Sequence, residues 1–115
     1  MKYKVDASLK DKYLLRQYPW SVNDNGLVIV YERPEKELLL NNQLFSDLYI
    51  NADGSYTVDS YLEGVIGKMK NSGKDFDAQV IVDIIIDSLN SMVDEGLIRL
   101  EDIQFMLPSE IYYKK

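Results

Sequence analysis

The stretch that decides the fold is DAQVIVDIIIDSLNSMVDEG, which runs from Asp77 to Gly96. Its apolar residues recur at the three- and four-residue spacing of an amphipathic helix. Asp77 can cap such a helix at its start, the helix runs to about Glu95, and Gly96 is well placed to end it in a left-handed conformation. At about 100° per residue, one side collects the residues predicted to face a core, namely Ala78, Ile81, Val82, Ile85, Leu89 and Met92, with Ile86 and Val93 at its margin.

The opposite side of this helix is acidic. It carries Asp83, Asp87 and Asp94, and the helix contains no Lys or Arg. Like charges four residues apart, such as Asp83 and Asp87, destabilise an isolated helix by about 0.2–0.5 kcal/mol, so this face is either solvated or meets a positive partner. Val80 and Ile84 lie beside these acids. They either contact one of the chain termini or line a groove that suits a peptide with alternating apolar and basic side chains.

Two shorter helices are predicted upstream of the long one, and each follows a capping side chain. The first covers Gln43 to Ile50 after Asn41 or Asn42. The second covers Val58 to Met69 after Thr57. A polar stretch with a glycine, residues 51–55, separates them and is predicted as a break.

The front third of the chain has the composition of strands rather than helices. Tyr13–Tyr18, Leu27–Glu32 and Glu37–Leu40 are predicted strands, and turn signals at Asn23–Gly26 and Pro34 separate them. We expect one antiparallel sheet of about three strands, preceded by an irregular lead-in over residues 1–12.

The end of the chain returns to extended structure. Leu97 to Leu100 is predicted as a short strand, and residues 101–115 form a tail with Pro108 and the pair Tyr112 and Tyr113. The length allows one domain over residues 1–115, with a core at about 13–100. Strands followed by three helices and a short extended return indicate an α+β domain of the winged-helix-like type.

The composition bears on chemistry and partners. The chain has no Cys and no His, which excludes disulfides, thiolate nucleophiles, zinc sites and histidine general bases. An enzyme would have to work with carboxylates, Lys, Tyr or Ser alone. We therefore expect a protein without catalytic residues, metal or cofactor. Residues 37–115 carry six bases and fourteen acids, a net charge of −8. That field repels phosphate and argues against a nucleic-acid partner.

The cellular location is expected to be cytoplasmic. The lysine-containing N-terminus is not followed by the apolar segment of a signal peptide. The apolar runs are also far shorter than the roughly 20 residues that a membrane span requires. We therefore expect no membrane partner.

Three motifs in a fixed order carry a resemblance to a known family. A predicted hairpin ends in Leu38–Asn42, Asp53–Asp59 (DGSYTVD) leads into a helix, and Phe76-Asp77 precedes the long helix that ends in Asp94–Ile98 (DEGLI). From about Leu27 to Ile98 the chain resembles the PqqD-like family. These domains are the peptide recognition elements of pathways that modify ribosomally made peptides.

The resemblance implies a function. Such domains bind the leader of a precursor peptide as an added strand and present it to a modifying enzyme, often a radical-SAM or ATP-dependent one, and they use no cofactor. Strand addition of this kind gains affinity from main-chain hydrogen bonds and specificity from alternate side chains. Carried onto this sequence, the peptide-binding residues are Glu37, Leu38, Leu39 and Leu40 on the strand, with Val80, Ile84 and Asp87 on the helix.

Two other functions stay open at this point. One is a winged-helix DNA-binding regulator, although the long helix presents acids where such a helix needs bases. The other is an acidic inhibitor that blocks a basic site on another protein. An exposed sheet edge also permits a homodimer.

Overall fold

The structure is a computed structural model that describes residues 3–33 and 35–104. The predicted α+β class is confirmed: within these residues, four helices accompany two small antiparallel sheets of three strands each. In chain order the elements are α1 (Ala7–Lys10), β1 (Tyr13–Arg16), β2 (Trp20–Val22), β3 (Val28–Arg33), β4 (Lys36–Leu39), α2 (Gln43–Asn51), β5 (Asp53–Thr57), α3 (Val58–Asn71), α4 (Ala78–Asp94) and β6 (Ile98–Glu101).

The first sheet, here called the β3 sheet, is made of neighbours in sequence. Its strand order is β2-β3-β4, and both pairs are antiparallel. In the turn before β3, the Asn23 side chain accepts hydrogen bonds from the main-chain N–H groups of Asn25 and Leu27. Gly26 adopts a φ of 80°, which favours glycine. The predicted turn and the predicted β3–β4 hairpin are therefore confirmed.

The second sheet, the β1 sheet, corrects the prediction of one N-terminal sheet. Its order is β5-β1-β6, so β1 pairs with segments about 40 and 85 residues away in sequence instead of with the hairpin. The chain leaves β1 before Pro19, which lacks the N–H that a continuing ladder needs. The third strand of the hairpin sheet is β2 instead.

Two further segments differ from the sequence prediction. The stretch at 51–55 was predicted to break the helix before it, and α2 does end at Asn51, but Asp53–Thr57 then forms β5 instead of a turn, because pairing with β1 outweighs its local turn propensity. The lead-in was predicted to be irregular, but Asp6 caps the short helix α1. Tyr3 and Val5 pack against the core ahead of it. The ordered fold thus begins well before residue 13.

The helix ends agree with their predicted caps. Asn42, Thr57 and Asp77 each accept main-chain hydrogen bonds at the start of α2, α3 and α4, respectively. At the end of α4, Gly96 has a φ of 75°. The N–H groups of Gly96 and Leu97 donate to the carbonyls of Val93 and Met92, which is a Schellman motif. The chain then reverses directly into β6, which confirms the predicted extended return.

One core joins the helices to both sheets. Its fully buried members come from every layer and include Leu14, Val28, Val30, Leu48, Tyr49, Leu62, Val82, Ile85, Leu89, Met92 and Ile98. Asp102 forms an ion pair with Lys12 just after β6. Pro108, Tyr112 and Tyr113 lie outside the described residues. No described helix combines the length and the hydrophobicity needed to cross a membrane.

Polar contacts tie the two sheets together between β1 and β2. The guanidinium of Arg16 donates to the carbonyl of Ile50 at 2.9 Å and lies over the ring of Trp20, 5.4 Å from its centroid. The Tyr49 hydroxyl donates to the Tyr18 carbonyl at 2.7 Å and accepts from the Tyr18 N–H at 3.1 Å. The linker between the sheets is thereby held to α2.

Candidate functional site

Strand β4 and the C-terminal end of α4 border an open groove of about 340 Å³. Its lining divides by exposure into a floor and a rim. The floor consists of buried or half-buried apolar side chains: Leu38, Leu40, Phe45, Met92 and Leu97. The rim consists of exposed residues: Leu39, Asn41, Asn42, Ser91 and Glu95. Ligand sites have this general character, an apolar interior with a few polar groups at its border.

The main-chain N–H and C=O groups of Leu39 point away from β3, toward the outer edge of the sheet. Leu40 donates its N–H to the carbonyl of Val28 at 2.8 Å, and Val30 pairs with Leu38 in the same register. Antiparallel pairs alternate between hydrogen-bonded and non-hydrogen-bonded positions, so the N–H and C=O of Leu39 face the outer edge. Among the described residues, β4 pairs with β3 alone. The groove therefore lies beside a strand edge that can accept another strand.

A buried serine fixes the end of this edge strand. Ser46 on α2 is 1% exposed. Its hydroxyl accepts from the N–H of Val28 at 2.9 Å and donates to the carbonyl of Leu40 at 3.2 Å. It thus replaces one hydrogen bond of the β3–β4 ladder. Because Asn42 caps α2 immediately after β4, the strand and the helix are held in one position relative to each other.

The helix side of the groove lies at the end of one long exposed stripe. Val80, Ile84, Asp87, Ser91 and Glu95 are spaced four, three, four and four residues apart, which places them on one face of α4. Val80 is 51% exposed and Ile84 is 47% exposed. Only the last two members of the stripe line the groove.

The sequence-predicted site residues are therefore only partly brought together. Leu38, Leu39 and Leu40 line the groove, whereas Glu37 is exposed on β4 outside it. Val80, Ile84 and Asp87 also lie outside the lining. At about 1.5 Å per residue, they precede Ser91 by roughly 6 to 16 Å along α4.

Sequence reasoning missed the groove residues of α4 itself, Ser91, Met92 and Glu95. Their helical spacing from Ile84 was a usable signal for Ser91 and Glu95. Met92 was assigned to the core, and it does belong to the core cluster while also reaching the groove floor. Asn41, Asn42, Phe45 and Leu97 were likewise not assigned to the site.

The N-terminal arm contacts the start of α4. The side chain of Gln79 accepts from the Lys4 N–H at 2.7 Å and donates to the Lys4 carbonyl at 3.1 Å. The neighbouring Val80 nevertheless stays half exposed. The arm therefore does not cover the apolar part of the exposed stripe.

The electrostatics of the groove are set by the end of α4. The last turn contains no basic residue, and Glu95 follows it as the C-cap. Within residues 3–33 and 35–104, Glu95 makes no ion pair. The negative end of the helix dipole reinforces this carboxylate. One end of the groove rim is therefore negative and without a counter-charge in the described part of the chain.

A second, smaller cavity of about 100 Å³ lies between α2 and α3. Tyr61 at its border donates its hydroxyl to the carboxylate of Asp47. Burial, and then the contact with Asp47, raise the pKa of Tyr61 above its usual range. The hydrogen bond between Tyr61 and Asp47 links α3 to α2. Among the described residues, no cluster of three or more acidic, His or Cys side chains could hold a metal ion.

Comparisons with protein families, with curated proteins and with solved structures found no match to this chain. The functional argument below therefore starts from the groove itself.

Proposed function

We propose that the chain binds an extended peptide as an added strand on the outer edge of β4. The observation that carries this proposal is the position of Leu39. Its main-chain N–H and C=O face outward at the rim of an apolar groove. An unpaired edge next to such a groove offers both hydrogen bonds and a side-chain pocket to one extended segment.

We further propose that the peptide is the leader of a ribosomally made precursor, which the chain presents to a modifying enzyme without taking part in the chemistry. The support is the resemblance to the PqqD-like family, together with the position of the groove. Leader binding in that family takes place between a hairpin strand and the third helix of a winged-helix-like domain. Here β4 is the last strand of the β3–β4 hairpin and α4 is the third helix after it, an order that supports the proposal.

The alternative of a DNA-binding regulator receives no support from α4. A recognition helix needs donors for bases and phosphates on its exposed face. The exposed positions of α4 include Asp83, Asp87 and Asp94, and the helix has no Lys or Arg. A peptide partner suits this surface better than a phosphate backbone.

The test is fluorescence anisotropy with a labelled leader segment from the precursor peptide encoded beside the gene. We expect saturable binding at micromolar affinity or better, corresponding to about −8 kcal/mol or more. The binding should persist when the salt concentration is raised, because main-chain hydrogen bonds and apolar contacts are screened little.

The matched variants are Leu39→Pro and Leu39→Val. Proline removes the outward N–H while leaving the β3–β4 hydrogen bonds in place, whereas valine keeps the N–H and an apolar side chain. We expect Leu39→Pro to lose binding and Leu39→Val to bind within a few-fold of the parent. Equal binding by a folded Leu39→Pro variant, with circular dichroism as the check on folding, would refute strand addition at this edge.

A further inference from the structure

We infer that the bound peptide carries a Lys or Arg two positions from an apolar residue, and that Glu95 pairs with this cation. The inference rests on strand addition at β4, as proposed above. It narrows the apolar and basic peptide that the sequence indicated to a defined spacing, and it gives Glu95 a specificity-determining role that the sequence did not suggest.

The geometry of an added strand sets the spacing. A peptide residue that pairs with Leu39 has its side chain on the same face of the sheet as Leu39. The residues before and after it project to the other face, where Leu38 and Leu40 form part of the groove floor. The side chains of these two peptide residues are about 6.6 Å apart along the added strand.

The two positions meet different surroundings. The side chain at one of these positions can pack on the apolar floor of the groove, which has a volume of about 340 Å³. Its neighbour on the same face then extends along the rim, where Ser91 and Glu95 are exposed. One apolar and one polar side chain therefore fit the groove better than two of the same kind.

The charge of the rim selects the polar partner. Glu95 is the C-cap of a helix of 17 residues whose last turn has no base. Cations are favoured at this end of a helix dipole. The lining of the groove contains no base, and Arg99, four residues after Glu95 in sequence, pairs with Glu101 instead. A cation from the peptide is thus the group that completes the groove.

The residue opposite Leu39 is expected to be apolar as well. Leu39 is 45% exposed, and Ile29 lies directly across from it on β3 with partial exposure. Together they form a small apolar strip on the outer face. The peptide core is therefore two apolar residues followed or preceded by a basic one, according to the direction of the added strand.

The experiment is a selection from a displayed library of random peptides, each of about ten residues so that a strand with flanks fits. The full chain and its Glu95→Lys variant are the two main baits, and the Leu39→Pro variant is the control bait. We expect the parent to enrich apolar-apolar-basic triplets in one direction, and Glu95→Lys to enrich the same apolar pair next to Asp or Glu.

Affinity measurements on one peptide enriched by the parent give the size of the effect. Exposed ion pairs are modest, so Glu95→Gln should weaken binding by about two- to five-fold. Glu95→Lys should weaken it by roughly ten-fold, because attraction becomes repulsion. Asp75→Asn is the control, since it removes an equal charge near the other end of α4, roughly 25 Å away, and should leave the affinity unchanged.

The outcomes separate this inference from the proposed function. If both baits enrich peptides that require the Leu39 N–H but show the same charge pattern, Glu95 does not select the cation and the inference fails alone. If no peptide is enriched, or if Leu39→Pro enriches the same peptides as the parent, both fail. A dimer that Leu39→Pro dissociates, found by light scattering without peptide enrichment, would assign the edge to a second copy and overturn both.

Discussion

The β1 sheet and the β3 sheet have the same number of strands but differ in the exposure of their edge strands. In the β1 sheet the edge strands β5 and β6 have one exposed residue each, and the central strand buries Leu14, Leu15 and Arg16. In the β3 sheet the edge strand β4 has exposed residues at three of its four positions. We infer that the β1 sheet contributes more to the stability of the fold, whereas the β3 sheet leaves the outer edge of β4 unpaired within the described part of the chain.

The largest expected effect is the loss of stability on truncating a buried side chain of β1, compared with an exposed one of β4. Leu14 is 1% exposed, so Leu14→Ala should lower the free energy of unfolding by about 2–5 kcal/mol, through lost burial and the cavity it leaves. Leu39→Ala on the exposed edge should change it by less than about 0.5 kcal/mol. Urea denaturation of both variants measures the difference. Similar losses in both would mean that β4 is as much a part of the core as β1.

A smaller loss of stability is expected when the buried hydroxyl of Ser46, which fixes the end of β4, is removed. Ser46→Ala removes the acceptor of the buried Val28 N–H and one donor to Leu40, so the free energy of unfolding should fall by about 1–3 kcal/mol. Ser91→Ala, which removes an exposed hydroxyl at the groove rim, is the control and should be nearly neutral. If the two variants unfold at the same urea concentration, Ser46 does not fix the end of β4.

A smaller, pH-dependent effect tests the contact between α2 and the linker that joins the sheets. Burial raises the pKa of Tyr49 above its usual value, so above about pH 10 the unfolded chain loses a proton that the folded chain keeps. The contribution of Tyr49 to stability should therefore be constant up to about pH 10 and then fall by up to about 1.4 kcal/mol per pH unit.

The variant Tyr49→Phe isolates that contribution. It should reduce stability at neutral pH, because Tyr18 loses both of its hydrogen bonds to the hydroxyl. It should also make the alkaline fall shallower, which thermal unfolding between neutral and alkaline pH can measure. An unchanged alkaline slope would show that Tyr49 does not carry this dependence.

The sequence predicts the parts of the fold that local interactions determine. The caps at Asn42, Thr57 and Asp77, and the stop at Gly96, are each decided within a few residues of the chain. The β3–β4 hairpin is local in the same sense. The β1 sheet could not be predicted in this way, because its pairs join residues as distant as Tyr13 and Glu101.

The same distinction applies to the candidate site. The resemblance pointed to the edge residues Leu38, Leu39 and Leu40, and the hairpin that carries them is a local structure that the sequence predicts. Which turn of α4 faces that edge depends on how the helix packs in three dimensions. The sequence identified the exposed stripe of Val80, Ile84 and Asp87, but the groove lies one to three turns further on.

The measurement that tests the central claim most directly is amide hydrogen exchange at Leu39, followed by NMR with and without the bound peptide. Because its N–H faces outward, the amide of Leu39 should exchange rapidly in the free protein, while that of Leu40 is protected by its bond to Val28. Strand addition predicts that saturating peptide slows exchange at Leu39 and leaves Leu40 unchanged. Continued rapid exchange at Leu39 in the saturated complex would contradict the account.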